Sequence, residues 1–170
     1  REYGAEEMAR GGFTVFTTLD PKLQFFADEA LQKALRQYDR KHGYRGPLTH
    51  IDTINDSSPA AFETVKSFKN RIVGEQQLAI VSGLESNKAL LIFEDGNSGH
   101  IPMSELSWAQ RKMSDGSLGK AIKKPDDVLR IGDVVIVRHL NKQRFALEQV
   151  PAINGALVAM DPKNGKVLAM

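Results

Sequence analysis

Cysteine is absent from the 170-residue chain, which excludes disulfides, thiolate metal sites and thiol nucleophiles. It says nothing about compartment. Long apolar runs are missing too. The longest, Ala89–Phe93 and Ala156–Met160, reach five residues, against roughly 20 for a span of the bilayer. Neither sign of charge dominates: 23 basic and 21 acidic residues leave +2, which gives no general electrostatic case for nucleic acid. Aromatics are sparse at 7 %, with one Trp. What is present is ordinary for a folded chain, 41 % hydrophobic and 26 % charged, and excludes wholesale disorder. The length allows one ordinary domain or two small ones.

The ends read as those of a piece of something longer. Arg1 opens without an initiator Met or the charged and apolar regions of a signal peptide. Val167-Leu168-Ala169-Met170 stops while an apolar strand is under way. Targeting signals are therefore expected outside the segment.

Four stretches follow along the chain. Gly12–Thr18 is rich in β-branched and aromatic residues and predicts a strand. Asp20-Pro21 then opens a helix over about 21–41, the carboxylate capping free amides and Pro fitting the first turn. Leu23, Phe26, Ala27, Ala30, Leu31, Ala34, Leu35 and Tyr38 recur at helical spacing. Leu48–Gly74 is the least regular part, read as a loop or linker with a short helix over Ala60–Phe68. From Glu75 to Val150 the pattern becomes short strands: Gln77–Leu84, Lys88–Glu94, His100–Met103, Arg130–Arg138 and Arg144–Val150, with a helical turn near Ser104–Gln110. Five short strands with a helical insertion fit a small barrel of the OB type. Gly155–Met170, folded about Asn164-Gly165, is a β-hairpin pattern.

Catalytic chemistry finds no foothold. Ser117-Leu118-Gly119-Lys120 matches S-x-x-K, but a Ser–Lys pair needs one helical turn to stack the side chains, and Gly116 and Gly119 interrupt it. No S-x-N or K-T-G box accompanies it, so no covalent β-lactam adduct is expected at Ser117. Gly119-Lys120 lacks the rest of a phosphate loop. Asn97-Ser98-Gly99-His100 misses G-x-S-x-G and reads as a turn. His42, His50, His100 and His139 supply no close ligand pair for a metal. Glu6-Glu7 and Asp126-Asp127 read as solvated charge. Catalytic, cofactor-binding and metal-binding residues are therefore all expected to be none.

A binding module of another class has some support. Gly99–Ser107 and Ile131–Val135 resemble parts of RNA-binding S1 modules. Single-strand binding, however, needs a basic groove interleaved with aromatics. Residues 75–150 carry ten basic and ten acidic side chains and only Phe93, Trp108 and Phe145 as aromatics. The likeness supports the barrel shape, and a shared fold does not carry function.

Taken together, four segments resemble the linker region of Gram-negative class A penicillin-binding proteins, in particular the 1A subgroup. They are Phe13–Gln24; Tyr38-Asp39-Arg40-Lys41-His42-Gly43-Tyr44-Arg45-Gly46-Pro47, similar to that family's Y-D-x-x-x-G-Y-R-G-P; Trp108-Ala109-Gln110 with Asp127-Val128-Leu129; and Gln149-Val150-Pro151 with Gly155–Gly165. The resemblance implies an α+β arrangement. A five-stranded OB-like barrel (75–150) would be inserted between a strand–helix segment (1–47, then a 48–74 linker) and a hairpin (151–170) belonging to an adjoining transpeptidase domain. It implies an inner-membrane-anchored parent enzyme, a peptidoglycan glycosyltransferase and D,D-transpeptidase, with this part periplasmic and itself non-catalytic.

The implied partners are the two catalytic domains and an outer-membrane lipoprotein activator; neither nucleic acid nor membrane insertion is expected. The long loop from about Ser107 to Asp127 supplies the candidate docking residues Trp108, Arg111, Met113, Lys120, Lys123 and Lys124. Trp and Arg are frequent interface anchors, and the lysines would steer an acidic partner. The plainer reading has Trp108 plugging the barrel bottom and the lysines forming a solvated face.

Overall fold

In a computed structural model, residues 16–52, 63, 68 and 75–170 are described. These residues fall into two compact units, 16–34 with 155–170 and the described part of 35–154.

Helix α1 spans Pro21–Lys41, and its ends follow local chemistry. The Asp20 carboxylate accepts the N–H groups of Lys22 at 2.8 Å and Leu23 at 3.2 Å, satisfying amides that lack helical partners. Arg40 and Lys41 lie in the last turn, where cations suit the helix dipole. Gly43, at φ +87°, ends it by donating to the Arg40 carbonyl at 3.2 Å.

In the first unit, β7 (Ala159–Met160) pairs antiparallel with β8 (Val167–Ala169). This hairpin is shorter than the one expected over Gly155–Met170. Thr18 donates its hydroxyl to the Val167 carbonyl at 2.6 Å, and the Asp20 N–H reaches the Leu168 carbonyl at 2.8 Å. Phe16–Asp20 form no regular strand. The rest of the strand expected at Gly12–Thr18, and most of the helix expected at Ala60–Phe68, lie outside the described residues.

The second unit holds the barrel. Its strands are β2 (Gln76–Leu84), β3 (Lys88–Ile92), β4 (Ser98–Pro102), β5 (Asp133–Asn141) and β6 (Arg144–Glu148). The order β5-β2-β3-β4-β6 closes because β6 pairs parallel with β4 and antiparallel with β5. Closure removes the exposed sheet edges that invite aggregation. A short strand β1 (Thr49–His50) pairs with Val134 and Asp133, at the end of β5 that β6 leaves free. The middle stretch read as a linker thus contributes a strand.

Side chains alternate between two clusters. Ala79, Val81, Val135 and Val137 point inward with Leu91, Ile101, Leu129 and Leu147. Leu78, Ile80, Val134 and Ile136 point outward, yet are covered by Leu48, Ile51, Phe68 and Ile92. Burial on both faces explains why Leu78–Val81 and Val134–Val137 are unbroken apolar runs. Gly132 sits at the seam, at φ +100°, where a Cβ would stand 2.3 Å from the Ile51 carbonyl oxygen.

Candidate functional site

Two polar regions of the barrel unit stand out. The first gathers the incoming chain, Asp39–Arg45, and the outgoing chain, Gln149–Ala152. Arg45 grips the Asp39 carboxylate with both terminal nitrogens, at 2.8 and 3.0 Å. Such a fork adds geometric specificity to its strength. Gln149 Nε2 donates to Asp39 at 2.7 Å and to the Gly43 carbonyl at 3.0 Å, while its Oε1 accepts the Arg45 N–H at 3.1 Å. The Ala152 N–H donates to Asp39 at 3.1 Å, and Arg45 also donates to the Val150 carbonyl.

Burial pushes the Asp39 carboxyl up. The bonds from Arg45, Ala152 and Gln149, with the Arg45 charge, outweigh this and hold it below the ordinary carboxylate range. Beside it, Glu148 accepts from Arg138 at 3.0 Å and pairs with Arg40 at 3.3 Å. The Arg40 guanidinium lies 4.8 Å from the centre of the Trp108 ring, a cation–π distance.

Gly43 is required where these lines meet. A Cβ there would lie 2.9 Å from the Gln110 carbonyl oxygen and 2.8 Å from Leu118, so Tyr44 could not reach its place. Tyr44 donates its N–H to Gln110 at 2.7 Å and inserts its ring into the barrel core, edge-on to Trp108 at 5.8 Å. Burial, then the Asp133 charge, raise the Tyr44 hydroxyl far above its usual value.

The second region is the loop between β4 and β5. Leu106, Ala109 and Leu129 anchor it in the core. Between them the chain folds back, with bridges pairing Tyr44 with Arg111 and Lys112 with Leu118. Ser117 sits in an exposed turn and gives its hydroxyl to Asp115 at 2.6 Å. The helical turn that S-x-x-K chemistry needs is not formed there. Asp127 accepts the N–H groups of Lys123 and Lys124 at 2.8 and 3.0 Å, closing a short 3-10 turn at Pro125–Asp127.

The six candidate docking residues divide. Trp108 packs half-buried against the core cluster. Lys124 is tied to Asp126 at 2.6 Å. Arg111, Met113, Lys120 and Lys123 come together with Ile122, Asp127 and Arg130 around an open groove of about 790 Å³. Ile122 and Arg130 join them only through the loop's fold, which periodicity does not disclose. Among the described residues, no group of three His, Asp or Glu is placed to hold a metal ion, and no helix is long and apolar enough to cross a membrane.

Comparison with known proteins places this geometry. The family described as "Penicillin-binding protein OB-like domain" matches residues 44–153. Penicillin-binding protein 1A of Rickettsia typhi is 37 % identical over 164 residues, 96 % of this chain and 19 % of that protein. Its namesake in Escherichia coli K12 is 31 % identical over 171 residues, 99 % of this chain and 20 % of that protein. The chain thus spans about a fifth of the curated relatives it matches. The crystal structure of penicillin-binding protein 1A from Haemophilus influenzae shares the fold at a TM-score of 0.62, with 24 % identity over 91 % of this chain and 21 % of that one. The matched interval runs from the buried Tyr44, through the closed barrel, to just beyond the Ala152 amide that caps Asp39. The chain belongs to the family of the penicillin-binding protein OB-like domain, and the barrel is that domain.

Proposed function

We propose that the chain is the non-catalytic linker and docking module of a bifunctional peptidoglycan glycosyltransferase and D,D-transpeptidase. In this reading the parent is anchored in the inner membrane of a Gram-negative bacterium, with the module in the periplasm. The module positions the two catalytic domains, and its β4–β5 loop receives a regulatory outer-membrane lipoprotein. One observation carries the positioning role: the incoming and outgoing chains of the barrel are bound to one buried carboxylate, Asp39. A spacer fixed this way holds its two connections at one separation, whereas a flexible linker would let them drift.

The test uses the parent chain carrying Asp39→Asn. Glycan polymerisation, β-lactam acylation and cross-links per glycan are measured separately. The positioning role predicts that polymerisation and acylation stay near parental values while cross-links per glycan fall. Unchanged cross-linking in a variant with loosened 149–152 amides would contradict it.

A further inference from the structure

Charge in the barrel unit is segregated. Residues 75–150 sum to zero, yet the β4–β5 groove is lined by Arg111, Lys120, Lys123 and Arg130 against one carboxylate, Asp127. One oxygen of that exposed carboxylate already accepts the Lys123 and Lys124 amides. None of the four cations makes an ion pair among the described residues, whereas Lys124, just outside the groove, does. Met113 is 49 % exposed, and with Ile122 it adds apolar side chains to the groove lining.

We infer that this groove seats a short acidic segment of a partner protein, whose carboxylates meet Arg111, Lys120, Lys123 and Arg130 while one apolar side chain lies on Met113 and Ile122. The inference rests on the docking role proposed above and specifies the partner's contact chemistry. Unpaired cations around a concave site attract anions and speed encounter. These two apolar side chains distinguish an acidic peptide from a bare polyanion. A volume near 790 Å³ suits a few residues, within the roughly 300–1,000 Å³ of small-ligand sites. A nucleic-acid strand would want aromatic platforms for its bases, and the groove lining contains none.

The test titrates the 170-residue chain, isotopically labelled, with the peptide Asp-Glu-Leu-Glu-Asp and follows backbone amide shifts. Shifts should concentrate in 111–130, and the dissociation constant should rise with salt. Lys120→Glu with Lys123→Glu should weaken binding at least tenfold, with circular dichroism unchanged. Lys33→Glu on α1 should leave it unaltered. Replacing the peptide's Leu by Ser should weaken binding to the parental groove, and Met113→Ser should erase that difference. The inference is overturned by shifts outside 111–130, by equal binding of the Ser peptide, or by binding of oligo-dT or a peptidoglycan stem peptide as tightly as the Leu peptide. Failure here leaves the positioning role standing, because that role is read from cross-linking in the parent chain.

Discussion

Arginine and lysine are used in opposite ways at two places on one barrel unit. At the junction of the incoming and outgoing chains, Arg45, Arg40 and Arg138 face the carboxylates of Asp39 and Glu148, whose side chains are 4 % and 2 % exposed. In the β4–β5 loop, Arg111, Lys120, Lys123 and Arg130 line a groove without ion-pair partners among the described residues. A buried carboxylate is tolerable only when paired and hydrogen-bonded, so the first set is committed to the fold. The exposed set costs little to keep and is free to meet something else. Substitutions at the junction should therefore change stability, and those in the groove should change binding.

The largest effect is expected from Asp39→Ala. It strands Arg45, the Gln149 amide and the Ala152 N–H together, at a cost of about 3 kcal/mol. That is the lower end for a broken buried pair, because the Arg45 side chain is 36 % exposed. Urea unfolding would show it as a lower midpoint at unchanged slope. Gly43→Ala should follow at about 2 kcal/mol, combining a positive φ with a contact of 2.9 Å to the Gln110 carbonyl oxygen. The same denaturation measurement checks it.

Acid should act through the same carboxylate. Asp39 is held below its ordinary value in the folded chain, so the unfolded chain takes up its proton first. Its contribution is complete above the unfolded carboxylate pKa of about 3.9 and is lost as pH falls through the lower folded value. Asp39→Asn should flatten the fall in stability below about pH 4, seen as a smaller drop in urea midpoint than the parental chain shows.

The smallest effect is expected in the groove. Lys120→Glu with Lys123→Glu should leave stability within about 0.5 kcal/mol, as surface changes without buried partners usually do. A midpoint shift as large as that of Asp39→Ala would erase the distinction between the two regions.

The sequence disclosed whatever local chemistry controls. Asp20-Pro21 and the apolar spacing marked α1 to its last residue. The pattern of short strand-like runs found all five barrel strands within a few residues of their ends. Two things stayed hidden, both set by distant contacts. Leu78–Val81 and Val134–Val137 do not alternate, so their pattern could not say that Leu48, Ile51 and Phe68 cover an outer face. Asp39 and Gln149 meet across 110 positions, and no period links them. The Tyr38–Pro47 motif was visible as a family likeness, while its physical content emerged only in three dimensions: Gly43 for space, Tyr44 for the core and Arg45 for Asp39. In the loop, Lys120 and Lys123 were conspicuous as charge, but nothing in the sequence separated them from Lys124, which Asp126 neutralises.

Amide hydrogen exchange at Arg45 and Ala152 tests the central claim most directly, because these two N–H groups bind Gln149 and Asp39 across the junction. If the junction is locked, both should exchange as slowly as the β5 amides of Val135 and Val137, and Asp39→Asn should speed both while leaving β5 protected. Exchange of Ala152 as fast as that of the exposed β5–β6 turn at Lys142, in the parental chain, would contradict it.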